Sequence, residues 1–262
     1  MIPSALSYTL QLPWNDTEAL ERLFAERGGE IAAVILEPIC GNAGVVHPLP
    51  GFLERIAELS ASNGALLVFD EVITGCRVAL GGAQELLGVR PDLTILSKVV
   101  GGGFPVAAFG GSKEIMAPLA RNEAFHAGVF SGNHAAVAAV VAMLGKLRND
   151  PSVYETLDLV GGDLEQRLTK TFVAAGRHAP CRPRRFGDLG GPPDRAAGRR
   201  ASLRRGRAAD RLRRAPTPPG LCQRAGLYFH PNPLEPWFLS AAHTPDVLDQ
   251  VVGTIEESLS RL

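Results

Sequence analysis

Three short apolar runs, each closed by a charged residue, constrain the fold of this chain more than any other feature. They are IAAVILEP, which reaches Glu37, ALLVFDEV, which reaches Asp70, and DLTILSKVV, which reaches Lys98. Runs of this length, rich in Val, Ile and Leu and separated by amphipathic stretches, predict an α/β protein with a mostly parallel sheet. Residues 31–37, 65–70 and 92–97 read as buried strands. Residues 50–62, opened by Pro50, place Phe52, Leu53, Ile56 and Leu59 on one helical face, and a short helix is expected around 82–88. Strands and helices in this order imply right-handed crossovers that lay the helices over the sheet.

Further along, 105–110 reads as another strand and 133–149, rich in Ala and Val, as a well-buried helix. Asp150-Pro151 is a hinge, after which 152–175 reads as a long helix. Residues 225–230 and 236–241 read as strands. Thr244-Pro245-Asp246 starts a last helix, with Val247, Leu248, Val251, Val252, Ile255 and Leu259 facing inward. This organisation implies two domains, 1–150 and 151–262.

Composition excludes several classes of function. Among 262 residues the formal net charge is zero and the pI about 7.0, so no global field points to nucleic acid or an anionic membrane. No run of eighteen apolar residues occurs, and the amino terminus, MIPSALSYTLQLPWND, lacks the basic and apolar regions of a signal peptide. Cys40, Cys76, Cys181 and Cys222 lie far apart without a C-x-x-C pair, which argues against a zinc site or a disulfide framework. A soluble, cytoplasmic protein without a metal is the expectation.

In an open α/β sheet, ligands bind outside the carboxyl ends of the strands, where Glu37, Asp70 and Lys98 are expected. A lysine directly behind a strand and directly before Gly101-Gly102-Gly103 suggests an amine held inside a site. Alone, each of the three is more often an ordinary strand-end charge, and triple glycine usually marks just a flexible turn. Together they suit pyridoxal 5'-phosphate chemistry, in which a lysine forms a Schiff base and an aspartate pairs with the protonated pyridine nitrogen. The same lysine, freed by an incoming amine, then shuttles a proton, a role that needs a partly neutral amine.

EPICGNAG (37–44), FDEVITGCR (69–77), PDLTILSKVVGGGFPVAAFGG (91–111) and AGVFSGN (127–133) follow in this order. With them the chain resembles the class III pyridoxal-phosphate aminotransferases, and within those the glutamate-1-semialdehyde 2,1-aminomutase branch, over residues 12–180 and about 223–262. The resemblance implies a type I fold for pyridoxal-phosphate enzymes, with an incomplete large domain and a smaller carboxyl-terminal α/β domain. It implies that Lys98 carries the cofactor and that Asp70 partners its pyridine nitrogen. Val72 would pack on the ring, with simple core packing as the other reading, and Asn42 would hydrogen-bond the phenolic oxygen. Gly128 and Val129 would offer backbone N–H groups to the phosphate across a homodimer interface. Ile73 stands where the 4-aminobutyrate and ornithine branch carries glutamine, which favours the aminomutase-like branch. The implied partners are a small-molecule amine donor, a carbonyl acceptor and a second copy of the chain.

The sequence departs from the family pattern in several places. Val129 stands where a threonine reaches the phosphate, a loss of about 1 kcal/mol of hydrogen bonding. Cys76 replaces a phenylalanine, and a quiet packing substitution is favoured over a reactive thiol. Residues 1–30 contain neither the family's Ser-Gly-Thr type phosphate loop nor the aromatic residue that stacks on the pyridine ring. The expectation is therefore of a chain that starts partway through the large domain.

Residues 182–224 hold 13 of the 23 arginines and no lysine, valine or isoleucine, and Phe186 is their one aromatic residue. Neither helical nor strand periodicity is readable there. A basic arm for nucleic acid or lipid, a disordered insert and a reading-frame slip across 188–222 compete. The slip is preferred, because GC-rich codons read out of frame give mostly Arg, Ala, Gly and Pro, and family-like sequence resumes at about Arg224.

Among single residues, His243 reads as structural rather than catalytic, while His126 and His134 either approach the phosphate or cap the following helix. Trp14 and Trp237 read as packing residues. Glu37 would position Asn42 or the substrate amine unless its role is structural, and Arg77 faces either a substrate carboxylate or a surface partner. The activity expected is amino transfer through Lys98. The other readings are an inactive relic or non-catalytic fragment of such an enzyme, and an intact aminotransferase of specialised metabolism that differs in its carbonyl acceptor.

Overall fold

Each apolar run becomes a strand in the computed structural model, which describes residues 8–176, 218–230 and 235–261. The described residues fall into two units, one of residues 8–40 and 46–144, the other of 41–45, 145–176, 218–230 and 235–261. The first contains a four-stranded sheet in the order β1 (Ala33–Leu36), β2 (Leu66–Glu71), β3 (Leu93–Leu96) and β4 (Ala108–Gly111). β1, β2 and β3 run parallel, while β4 lies antiparallel to β3. The expected strand at 105–110 thus forms three residues later and without a crossover. The link from Ser97 to Ala107 is too short to carry a crossover helix and reverses instead at Gly102 and Gly103, whose φ values are 55° and 99°.

One sheet face is covered by α1 (Thr17–Arg27) and α2 (Phe52–Ser62), which bring Leu20, Phe24, Phe52, Leu53 and Ile56 onto Leu67 and Phe69. Helix α1 escaped the reading of the sequence although its signals are present: the Asp16 carboxylate accepts the Ala19 N–H at 2.9 Å, and Leu20 and Phe24 stand one turn apart. Helix α2 starts two residues later than expected, because Gly51 has φ 82° and Pro50-Gly51 forms the turn before it. Trp14 packs edge-on against Phe52 at 5.3 Å, as a packing residue should. The strands are less buried than their composition suggests. Ile35, on the opposite face, is 64% exposed and Phe109 is 42% exposed, whereas strand alternation keeps Leu67 and Phe69 on the covered face.

Asp92 fastens the amino ends of two strands. Its carboxylate accepts the Leu67 N–H at 2.7 Å while its own N–H donates to the Leu67 carbonyl at 2.8 Å. Ser60, in α2, is the opposite case: it is buried and its hydroxyl finds no partner among the described residues. A desolvated hydroxyl without a partner destabilises a fold, so Ser60→Ala is expected to raise the free energy of unfolding by about 1 kcal/mol. Urea unfolding of the two proteins, compared at equal slope, checks this.

A short helix, α3 (Gly82–Leu87), precedes β3, and α4 (Lys113–Ala120) follows β4. The expected helix at 133–149 forms as α5 (His134–Asn149) but is not well buried. Ala136 and Leu147 are enclosed, while Val137 and Val141 are exposed, so high Ala and Val content marked the helix without marking its surroundings.

The second unit is built on α6 (Ser152–Ala174), α7 (Pro218–Arg224) and α8 (Pro245–Ser260). Leu164, Leu168, Cys222, Leu248, Val252, Ile255 and Leu259 form its core with Val251 packed against it, which bears out the inward face expected for the last helix except at Val247. Two expectations are corrected here. Residues 218–224, the end of the arginine-rich stretch, form a helix that puts Cys222 into this core, so that part is structured. The remainder of the stretch, and Cys181 with it, lies outside the described residues. Residues 225–230 and 236–241 are not strands: Leu227 and Phe229 pack on the core and Phe229 stacks on Trp237 at 4.2 Å, but no described segment offers them a ladder. No described helix is long and apolar enough to cross a membrane.

Candidate functional site

Parallel pairing brings Glu37, Asp70 and Lys98 to the same edge of the sheet. Leu36 pairs with Phe69, so Glu37 and Asp70, one residue on, stand level at the carboxyl ends of β1 and β2. Asp70 pairs in turn with Ile95, and Ile95 with Phe109. Side chains in register share a face, which makes Asp70, Ile95 and Phe109 a row across the less covered side of the sheet. His126 meets the end of this row, its ring edge-on to Phe109 at 5.1 Å.

Asp70 is half-buried, and its carboxylate accepts the Val72 N–H at 3.1 Å. This local turn holds the carboxylate beside Val72, itself half-buried, at the exit of β2. Lys98 lies two residues beyond Leu96 at the exit of β3, the neighbouring strand, roughly 4.8 Å away in sheet spacing. It opens a 3-10 turn, Lys98–Gly101, with φ 48°. A left-handed conformation costs a residue with a β-carbon about 1–2 kcal/mol, and here it is imposed from both sides. The Ser97 hydroxyl donates to the Val106 carbonyl at 2.7 Å, and a β-carbon on Gly101 would stand 2.6 Å from the Val106 side chain. The expectation of an enclosed amine is not met, since Lys98 is exposed. The reason is local: the turn carries its side chain off the strand end, and no described segment covers it.

Gly128 and Val129 line a cleft of about 330 Å³ that also includes Pro105, Val106, Ser131 and Asn133. Two tight turns shape it, Ser131 N–H to the Gly128 carbonyl at 2.9 Å and Asn133 N–H to the Phe130 carbonyl at 3.1 Å. The Asn133 carboxamide then caps α5 by accepting the Ala136 N–H at 3.1 Å, so His134 is not the cap. Val129, Phe130 and Phe125 are 96%, 83% and 94% exposed, an unusual density of bare apolar side chains in one loop. Asn42 sits in a 3-10 turn, Gly41–Ala43, assigned to the second unit, so the structure does not group it with the other residues.

The strongest feature missed in the sequence is Glu71. It is fully buried and accepts hydrogen bonds from Thr74, Ala83 and Gln84. Its signal was available: next to Asp70 on a strand, it must point to the opposite, covered face, with a threonine three residues on. Cys76 is buried nearby with φ 55°, and burial first, then the Glu71 charge, pushes its thiol up, away from the reactive thiolate. That fits the packing role expected of it. Burial lowers the half-buried Arg77 guanidinium. His243 closes a local turn, its Nδ1 within 3.1 Å of the Ser240 N–H, which fits a structural histidine. Among the described residues no group of His, Cys, Asp and Glu is arranged to hold a metal.

Comparison with known proteins adds an independent line. The family model described as aminotransferase class-III matches residues 3–179. A glutamate-1-semialdehyde 2,1-aminomutase of Sorangium cellulosum is 42% identical over 99% of this chain and 58% of its own length. One of Thermomicrobium roseum is 40% identical over 97% of this chain and 58% of its own length. Among solved structures, an omega-transaminase from Sphaerobacter thermophilus superposes with a TM-score of 0.79 at 29% identity, covering 95% of this chain and 56% of that one. The chain spans somewhat more than half the length of the relatives it matches.

Proposed function

The chain belongs to the class-III aminotransferase family, and we propose that it holds pyridoxal 5'-phosphate and takes part in amino transfer of the glutamate-1-semialdehyde 2,1-aminomutase kind. The observation that carries the reading is the placement of Asp70 and Lys98 at the carboxyl ends of adjacent parallel strands, one supplying an anion and the other an amine. The donor set fits the cofactor: a carboxylate for a protonated ring nitrogen, a primary amine for an aldehyde, an apolar side chain for a ring face and turn N–H groups for a phosphate.

When bound, pyridoxal phosphate supplies an aromatic ring able to accept electrons from a carbon that loses its proton. Asp70 would keep the ring nitrogen protonated, which would maintain that capacity. Lys98 Nζ would hold the cofactor covalently and, as a free amine, would move the proton between carbons. Val72 would pack against a ring face, Gly128 and Val129 would offer N–H groups to the phosphate, and Asn42 would hydrogen-bond the phenolic oxygen. An amine donor and a carbonyl acceptor are the substrates, and in the aminomutase version both belong to one carbon skeleton. Residues 1–150 serve as the cofactor-binding part and 151–262 as the smaller domain, in the cytoplasm. The exposed Val129, Phe130 and Phe125 support a homodimer that covers this loop.

A second reading, a fragment without catalysis, is favoured by the exposure of the Lys98 amine. Half-transamination separates the two. The purified chain loaded with pyridoxamine phosphate and given excess glutamate-1-semialdehyde is expected to develop the visible band of pyridoxal phosphate. No change, with the chain folded and the cofactor retained, sinks the catalytic reading.

A further inference from the structure

Residue 71 is where a charge is least expected. Glu71 is 0% exposed, at the last position of β2, on the face packed against helices. Its carboxylate is nevertheless fully used. Oε2 accepts the Thr74 hydroxyl at 2.9 Å and the Ala83 N–H at 2.6 Å, and Oε1 accepts the Gln84 N–H at 3.1 Å and the Gln84 side-chain amide at 3.0 Å. The same Gln84 amide reaches Thr94 on β3 at 3.2 Å. Among the described residues, every donor to the Glu71 carboxylate therefore lies between residues 74 and 84, and the network ties that segment to two neighbouring strands.

Space around the carboxylate is reserved for it. Gly82 has φ 75°, and a β-carbon there would collide with Glu71 Oε2. At Gly75 a β-carbon would stand 2.7 Å from the Glu71 carbonyl oxygen and would collide with Leu96. The Gly75 N–H also donates to the Glu71 carbonyl at 2.8 Å, so the chain reverses immediately after Val72. Any movement of the 74–84 segment moves that turn, and the turn sets where the Asp70 carboxylate and the Val72 side chain stand.

We infer that Glu71 is the positioning residue of the Asp70–Val72 turn: through its four hydrogen bonds it clamps residues 74–84 to the carboxyl end of β2 and so aims Asp70 from the opposite face of the sheet. The inference rests on the reading of Asp70 as the partner of the cofactor's ring nitrogen. It assigns the two adjacent acids different duties, one facing the ligand and one facing the core.

Glu71→Gln is the sharp variant, because shape is kept and one acceptor oxygen becomes a donor. If the new NH2 replaces Oε2 it opposes the Ala83 N–H, and if it replaces Oε1 it opposes the Gln84 N–H. Neither backbone group can turn away. Amide hydrogen exchange of the cofactor-free chain is read first: exchange at Val72 is expected to quicken about tenfold or more, with Val68 and Phe69 in the strand ladder unchanged. The second reading is the pH at which the visible band of bound pyridoxal phosphate titrates, expected to move in the same direction as in Asp70→Asn and by less. Thr74→Val, which removes one donor, gives a smaller change of the same sign and decides the matter if Glu71→Gln does not fold. A Val72 exchange rate that changes no more than those of Val68 and Phe69, with a wild-type titration, would reduce Glu71 to a structural group and overturn the inference. If Asp70→Asn itself leaves the titration unchanged, the reading of Asp70 fails, while the Val72 exchange still judges the clamp.

Discussion

Lys98→Ala is expected to leave the chain folded and unable to retain pyridoxal phosphate through a bond that borohydride can fix. The fold should survive because Lys98 is exposed and its left-handed backbone is set by the Ser97 to Val106 hydrogen bond and the close passage of Gly101, neither of which involves the lysine side chain. Alanine keeps a β-carbon, so the backbone cost at φ 48° is the same in both proteins. Two functions disappear together, covalent retention and proton movement between carbons. The second alone is worth on the order of 10²–10⁴-fold in turnover. Circular dichroism, absorbance of the dialysed protein and the half-transamination rate check the expectation. A folded alanine variant that keeps the borohydride-stable cofactor would remove Lys98 from its role.

Asp70→Asn is expected to lower turnover by on the order of 10²–10³-fold without unfolding the chain. Asparagine has the same shape, and its carboxamide oxygen still accepts the Val72 N–H that Asp70 accepts at 3.1 Å, so the local turn persists. The formal charge is lost, and with it the anion that keeps a pyridine nitrogen protonated near neutral pH. The loss should therefore fall on the chemical step more than on substrate binding, and it should shrink as the pH is lowered and the ring nitrogen gains its proton from solvent. Rates measured between pH 5 and pH 9 test this sign. A deficit independent of pH would assign Asp70 a packing role.

The sequence discloses the parts of this protein whose signals are local. Three apolar runs mark three strands, and because pairing is parallel, their charged ends must meet at one edge. That is why Asp70 and Lys98 could be placed from pattern alone. The antiparallel β4 depended on Gly102 and Gly103 adopting left-handed conformations, which triple glycine permits without specifying. Helix α5 showed its period but not its neighbours, since the exposure of Val137 and Val141 is decided by what packs on them. Residues 225–230 alternate as a strand does, yet a strand exists only with a ladder partner. Residues 218–224 failed in the other direction, because Cys222 joins a core whose remaining members come from distant α6 and α8.

The site was legible to a similar extent. Charged residues at strand ends marked the edge where Glu37, Asp70 and Lys98 come together, and the burial of Cys76 and the turn closed by His243 fit the packing and structural roles expected of them. The exposure of Lys98 was invisible, because it depends on the backbone angle of one residue. Glu71 was overlooked for the opposite reason: an acid beside Asp70 reads as one more strand-end charge until alternation turns it into the core, where the donors of residues 74–84 wait for it.

Amino transfer by this chain requires that the cofactor attach at Lys98. The chain contains four lysines, Lys98, Lys113, Lys146 and Lys170, so a peptide map can resolve them all. Pyridoxal phosphate added to the purified chain, fixed with borohydride and mapped by mass spectrometry, is expected to label the peptide containing Lys98 at near one equivalent while the other three remain unmodified. Label spread across the lysines, or none on a folded chain, would contradict the assignment of Lys98 and with it the proposed amino transfer.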